Sequence, residues 1–398
     1  TKDAATASGS TSDLVAAIDQ AVADGVNVIN YSIGGGASLT SGDDIAFLFA
    51  ADAGVYVASS AGNDGPGAGT VGGPATVPWL TAVGASTQSR FFQGTVVLGN
   101  GARYTGASIT DGVGTSPLVD AASLGNELCD PDQKFKGSIS GKIVVCLRGV
   151  VDRIAKSRAV LEGGGVGMIM YEDDDAGNLF SDSHFVPSVH VDNTPGVAIK
   201  QYIASTRKPT ARIIAKQVSE WPYAPSMTDF SSRGPDSAAE DIIKPDVTAP
   251  GLQILAGNSP TPDPGLPAGE LFQAIAGTSM SSPHVAGLGA LLTQAHRNWS
   301  PAAIKSALMT TASATAPITA AARSPFASGA GQVVPTSANN PGLVYDAGFD
   351  DWRNFLKGQG LCNLCFGATP ATAVDASNLN QASLAVGDLA GAQTLSRT

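Results

Sequence analysis

Gly277-Thr278-Ser279-Met280-Ser281-Ser282-Pro283-His284-Val285-Ala286-Gly287 decides how this chain is read. It is expected to be a tight turn running into a helix: Gly277 supplies backbone freedom, Ser279 falls in the first helical turn, and Pro283 comes early enough that its missing N–H costs little. A hydroxyl at that point faces unpaired backbone N–H groups and the positive end of the helix dipole. Negative charge forming on a neighbouring carbonyl oxygen would be stabilised there, which suits a nucleophile. Taken alone, a serine before a helix is a plain cap. His284 lies five residues on, roughly 140° round the helix axis from Ser279, so its ring is expected on the packed side, as a structural residue.

Upstream, residues 26–33 read as a buried strand leading into Gly34-Gly35-Gly36, residues 43–53 as a helix and 55–60 as the next strand. This βαβ pattern implies a parallel sheet with its chemistry at the carboxyl ends of the strands. A preceding helix, capped by Ser12 or Asp13, carries Leu14, Ala17, Ile18, Ala21 and Val22 on one face. Residues 79–86 form a further strand, and 92–105 a hairpin around Gly99-Asn100-Gly101. From 116 to 214 the pattern is strand-rich with short helices. The nucleophile helix is expected to run to about residue 296, followed by a helix capped by Ser300-Pro301 with Ile304, Ala307 and Leu308 inward.

The chain has 398 residues, of which 14% are charged and 43% hydrophobic, enough for two domains and a large core. A net charge of −11 argues against general nucleic-acid binding, and no apolar run is long enough to span a membrane. The opening residues are polar and carry no signal peptide, as in a processed or truncated product. Four cysteines permit two bridges. Cys129 and Cys146 would close a modest loop, worth about 3 kcal/mol if bridged; a reduced buried pair is the alternative. Cys362 and Cys365 read as a local bridge or free thiols. The run Glu172-Asp173-Asp174-Asp175 lacks EF-hand spacing and reads as a solvated turn. His184 and His190 have no third partner that would make a zinc site. Asn298-Trp299-Ser300 has the glycosylation acceptor pattern.

The eleven-residue string is similar to the nucleophile segment of the subtilisin-like serine proteases (subtilases). It is not a Gly-x-Ser-x-Gly elbow, because Ser281 stands where that motif needs glycine. The resemblance implies that Ser279 attacks the scissile carbonyl of a peptide and that Ser32-Ile33-Gly34 pairs with substrate backbone as an added strand. It further implies that Ser60, Ala61 and Gly62 wall a specificity pocket, and that Asn63 donates its side-chain amide to the developing oxyanion beside the Ser279 N–H. Read alone, Asn63 is equally a turn residue. The segments 227–235, 244–251 and 341–346 also resemble parts of subtilase catalytic domains.

The block 116–214 resembles a protease-associated (PA) domain, and residues 379–398 the start of a fibronectin-like domain, one or two strands long. The fold class implied is α/β: a subtilisin-like parallel sheet flanked by helices, with an inserted, mostly-β PA domain. The expected division is 1–115 and 215–370 for the two parts of the catalytic core, 116–214 for the PA domain and 371–398 for the truncated fibronectin-like domain.

Subtilases order their triad Asp, His, Ser. No matching Asp or His motif occurs here, and His184, His190, His284 and His296 all lack the context of a base. The reading is therefore a secreted serine endopeptidase whose triad Asp and His come from an upstream segment, the chain alone having little or no activity. The alternative is a non-catalytic peptide-binding fragment or pseudoprotease. Expected partners are a polypeptide substrate, the upstream segment and an inhibitory propeptide, with no nucleic acid and no membrane. The chemistry needs no cofactor or metal; structural calcium stays unassigned.

Overall fold

Alternation along one strand, Tyr56–Ser60, divides the interior of the sheet-containing unit in two. Val57 joins Ile18, Phe47, Leu48, Leu80, Trp352 and Phe355 in one core, whereas Tyr56 and Ala58 join Val83, Val247, Val285, Ile304 and Leu308 in another. A strand whose two faces both pack must lie in a sheet covered on both sides. The computed structural model describes residues 9–175, 178–220, 225–260, 267–269, 271–315, 324–361, 366–367 and 370–398. Cys362 and Cys365, and the reading made of them, lie outside those residues.

Two compact units are present: Ala7–Gln88 with Tyr223–Leu252 and Gly277–Thr398, and Ser89–Pro222 with Gln253–Ala276. The first opens with α1 (Thr11–Ala23), β1 (Val28–Tyr31), α2 (Gly42–Asp52), β2 (Tyr56–Ser60) and β3 (Thr81–Ser86). The helix cap is Ser10, whose Oγ accepts from the Asp13 N–H at 3.3 Å, not Ser12 or Asp13 as expected. The second unit carries β4 (Arg90–Leu98), β5 (Arg103–Ala107), β6 (Val113–Asp120), β7 (Ile143–Leu147), α3 (Arg153–Glu162), β8 (Gly167–Tyr171), β9 (Ser188–Val191), α4 (Asn193–Ser205) and β10 (Thr210–Glu220). These strands close into a barrel in the order β10-β4-β5-β9-β8-β7-β6, which takes in β4 and β5 as well as the strands of 116–214. The chain continues with β11 (Val247–Pro250), the hairpin β12 (Ile254–Gly257) and β13 (Phe272–Ile275), then α5 (Thr278–Ala295) and α6 (Pro301–Thr310).

The parallel sheet runs β1-β2-β3-β11. β2 and β3 are buried along their whole length, but β1 is an edge strand and is only half-buried, shorter and more open than the sequence led us to expect. Its apolar residues are those of a covered strand; what they lack is a neighbour on one side. Where one or two strands were expected over 379–398, there is no strand, and Ala376 and Leu379 instead pack into the first core. The Cys129–Cys146 bridge is present, with both residues buried in the barrel unit and Cα atoms 5.7 Å apart.

A buried charge cluster ties the sheet to α6. Asp246, just before β11, accepts from the Ala82 N–H of β3 at 2.8 Å and pairs with Lys244 at 2.9 Å and Lys305 at 2.8 Å. Lys244 Nζ also donates to the Val77 carbonyl, and Lys305 Nζ to those of Pro78 and Leu80. Lys244 and Asp246 are 0% exposed. Burial alone would push the Asp246 carboxyl up, but the two lysines hold it below its ordinary range. The segment 244–251 is thus an electrostatic clamp on the strand that precedes the site.

Asp236 shows the opposite balance. Its Oδ1 accepts from the Ala238 N–H at 2.9 Å, its Oδ2 has no partner, and burial raises its carboxyl to about 7. The folded-state value lies above the unfolded one of 3.8, so the contribution of this group is fully present at low pH and is lost as pH rises from about 4 to 7. Asp236→Asn is expected to flatten that decline. The check is the urea midpoint of variant and parent at pH 4.5 and pH 8: the variant gains on the parent at the higher pH, and an equal difference at both would contradict it.

Candidate active site

Three strand ends converge on the start of α5. The chain leaving β1 supplies Ser32, the chain leaving β2 supplies Asn63, and after β11 the Gly251 carbonyl accepts from the Gly277 N–H at 2.8 Å. A β-carbon on Gly251 would stand 2.8 Å from the Gly277 carbonyl oxygen and 2.3 Å from Ser281 Oγ, so only glycine allows this approach. Gly277 has φ 156° and ψ 159°, a region nearly restricted to glycine. The turn expected from the sequence is therefore built from two close glycine contacts.

Asn63 is exposed and points one way. Its Oδ1 accepts from both the Thr278 N–H and the Thr278 hydroxyl, each at 2.9 Å. Two donors on one oxygen fix the amide orientation, which leaves Nδ2 as the outward group. A β-carbon added at Gly277 would stand 3.6 Å from Asn63 Nδ2 and 3.6 Å from the Ser279 backbone nitrogen. Two nitrogens that carry N–H groups, from segments over two hundred residues apart, thus lie equally close to one point beside Gly277. Thr278 is the residue that sequence reasoning missed; it lies inside the quoted string, and its hydroxyl also accepts from the Gly62 N–H at 3.2 Å.

Ser279 is half-buried, and its Oγ donates to the Ser32 carbonyl at 3.4 Å. In return Ser32 Oγ donates to the Ser279 carbonyl at 2.9 Å. The reason lies in Pro283. It is the sixth residue of α5, beyond the first turn, so its missing N–H removes the helical partner of the Ser279 carbonyl. The cost is not negligible, as the sequence reading had it, but is met by Ser32.

Of the other candidate residues, Ile33 is 42% exposed, and Gly34 is exposed beside it. Gly35 pairs with Gly73 through two backbone hydrogen bonds, which holds the open stretch in extended form. Ser60 and Ala61 are buried, and the Ala61 backbone is engaged at both ends by Val83 and Gly72. Gly62 likewise gives its carbonyl to the Ser232 N–H.

Among the described residues, which include all four histidines, no histidine is bonded to Ser279. His284 is exposed, with Nδ1 2.8 Å from the Met280 carbonyl oxygen, and so does not point to the packed side as expected. The buried stripe of α5 runs through Thr278, Ser281, Ser282, Val285 and Gly289, between Ser279 on one flank and His284 on the other. His296 stacks on Trp299 at 3.8 Å. His184 and His190 belong to the barrel unit: burial lowers His184 to about 4, and His190 Nε2 lies 2.8 Å from Glu172 Oε1. Asp175, in the same acidic run, accepts from the Thr194 N–H and hydroxyl. Among the described residues, no three His, Cys, Asp or Glu side chains gather as a metal site, and no helix is long and apolar enough to cross a membrane.

The sequence resembles those of known proteases. Subtilisin-like protease SBT5.3 of Arabidopsis thaliana is 38% identical over 97% of this chain and 54% of its own length. Subtilisin-like protease SBT1.7 of the same plant is 42% identical over 87% of this chain and 48% of its own. The chain therefore spans about half the length of the curated relatives it matches. The crystal structure of the psychrophilic subtilisin-like protease Apa1 from Pseudoalteromonas sp. AS-11 covers 83% of this chain and 73% of its own at 21% identity and a TM-score of 0.38, a likeness too loose to bear on the site. The model of the subtilase family spans residues 4–348, and with that span, from the first helix past the nucleophile string, the chain belongs to the subtilase family.

Proposed function

We propose that this chain is the nucleophile-bearing part of a secreted serine endopeptidase. Ser279 is acylated by the substrate, and Asn63 Nδ2 and the Ser279 N–H hold the oxyanion. Ser32, Ile33 and Gly34 pair with the peptide backbone, and the wall formed by Ser60, Ala61 and Gly62 limits the side chain accepted. The observation that carries this reading is the pair of N–H-bearing nitrogens equally close to one point beside Gly277, next to a half-buried serine at the N-terminus of α5.

The triad Asp and His are assigned to an upstream segment, in keeping with the length of the relatives. A serine without a base is a weak nucleophile at neutral pH, and here the hydroxyl is bonded to a backbone carbonyl. The strand-rich block 116–214, which shares its barrel with β4 and β5, is assigned as a PA domain inserted in the catalytic core. An inhibitory propeptide is a further proposed partner. The Cys129–Cys146 bridge fits secretion.

A fluorophosphonate probe tests the reading. In protein that includes the upstream segment, Ser279 is expected to be labelled, and Ser279→Ala to lose the label; the 398-residue chain alone labels weakly. No labelling even with the upstream segment would leave a peptide-binding pseudoprotease. Robust proteolysis by the 398-residue chain would refute the need for that segment.

A further inference from the structure

Asn30 is one of four members of a chain of hydrogen bonds that runs from Ser282 through Asn30 and Ser32 to the nucleophile, Ser279. Its Oδ1 accepts from Ser282 Oγ at 2.8 Å, and its Nδ2 donates to Ser32 Oγ at 3.1 Å. Ser32 Oγ donates in turn to the Ser279 carbonyl. The direction of this chain follows from one fixed end. A carbonyl only accepts, so the single Ser32 proton must go to Ser279, and the Ser32 oxygen is left to accept. Only Nδ2 of Asn30 can donate to it, and Oδ1 must then take the proton of Ser282. Reversing the amide would set two acceptors, the Asn30 and Ser32 oxygens, against each other.

The chain exists because of Pro283. Residue 283 would otherwise donate to the Ser279 carbonyl, as every interior residue of an α-helix does to the one four before it. The nucleophile residue is thus held from both sides by partners outside its own helix: the Asn63 side chain grips the Thr278 N–H before it, and the Ser32 hydroxyl grips its carbonyl after it. Neither hold belongs to the ordinary ladder of α5, and they act on the two peptide units that flank the one carrying the Ser279 N–H.

We propose that Asn30 is a positioning residue for the nucleophile, acting through Ser32 in place of the helical hydrogen bond that Pro283 removes. The inference rests on the protease reading above and adds to it a device that sets kcat. Asn30 touches neither substrate nor the reacting atoms; it orients the one hydroxyl that does the holding.

The test uses full-length protein with Asn30→Ala, Ser32→Ala, Ser32→Thr and the pair Ser32→Ala with Pro283→Ala. The expected result is a fall in kcat of about tenfold for the two alanine variants, with KM within twofold, the size of effect that follows from losing one hydrogen bond to a part-buried carbonyl. Ser32→Thr keeps a hydroxyl and retains most of the rate. Pro283→Ala restores an N–H to position 283 and recovers the rate lost in Ser32→Ala. Amide hydrogen exchange over residues 278–282 is read in the same proteins and is expected to quicken about tenfold in both alanine variants. Unchanged exchange overturns the inference, as does faster exchange with unchanged kcat, or a KM that rises alone. Because exchange needs no turnover, a wild-type protein that hydrolyses nothing sinks the protease reading separately.

Discussion

Asn63→Ala in full-length protein is expected to lower kcat by about 10²–10³ while KM moves little, a magnitude carried over from subtilisin, the reference case for removing one oxyanion donor. The asymmetry between the constants follows from where the donor acts. Charge builds on the carbonyl oxygen in the transition state, so a donor aimed at that position contributes there and scarcely at all to ground-state binding. Asn63 also anchors Thr278 through Oδ1, so alanine removes an anchor together with a donor. Asn63→Asp separates the two: it keeps oxygens for Thr278 and replaces the amide with an acceptor. A loss at least as large in the aspartate variant assigns the effect to the donor. Steady-state kinetics on a peptide substrate read both, and a variant that keeps kcat but binds substrate poorly would contradict the role.

The largest stability effect is expected at Asp246. Asp246→Asn leaves two buried ammonium groups without a counter-charge, and breaking a buried ion pair from one side costs about 3–5 kcal/mol. With about 2–4 °C of melting temperature for each kcal/mol in a domain of this size, the fall is roughly 10 °C. Burial already lowers Lys305 to about 8, with Asp246 working against that shift. Without the carboxylate the Lys305 amine titrates lower still. A lysine whose folded value is depressed regains stability as pH rises, so the deficit is expected to be larger at pH 6 than at pH 9. Adding Lys305→Met to Asp246→Asn removes one stranded charge and is expected to return part of the loss. A melting temperature within 2 °C of the parent would show that the clamp does not bear on stability.

Much of the sheet unit was legible because its strands and helices obey simple periods. Residues 55–60 and 79–86 consist mostly of apolar and small residues and became central strands, and Ser300-Pro301 capped α6 as expected, with Ser300 Oγ accepting from the Ala303 N–H. β1 was harder. Its residues suit burial, but edge or centre depends on neighbours that local sequence does not carry.

At the site, the angle of 140° between Ser279 and His284 was sound; the side assigned to it was not. The buried stripe of α5 includes Ser281 and Ser282, polar residues that no hydrophobic pattern would mark, and it lies between the two. Pro283 did carry a signal that was read too lightly: a proline four residues after a serine predicts an orphaned carbonyl and hence a donor from elsewhere in the fold. That the donor is Ser32, 247 positions away, could come only from the folded chain.

The most direct test is the structure of full-length protein with a peptide aldehyde bound at Ser279. The aldehyde forms a hemiacetal whose oxygen stands in for the oxyanion of the tetrahedral intermediate. The expected result is a covalent bond to Ser279 Oγ with that oxygen about 2.7–3.1 Å from both Asn63 Nδ2 and the Ser279 nitrogen. An adduct whose oxygen turns away from Asn63, or a serine that forms none while the peptide occupies the groove, would contradict it.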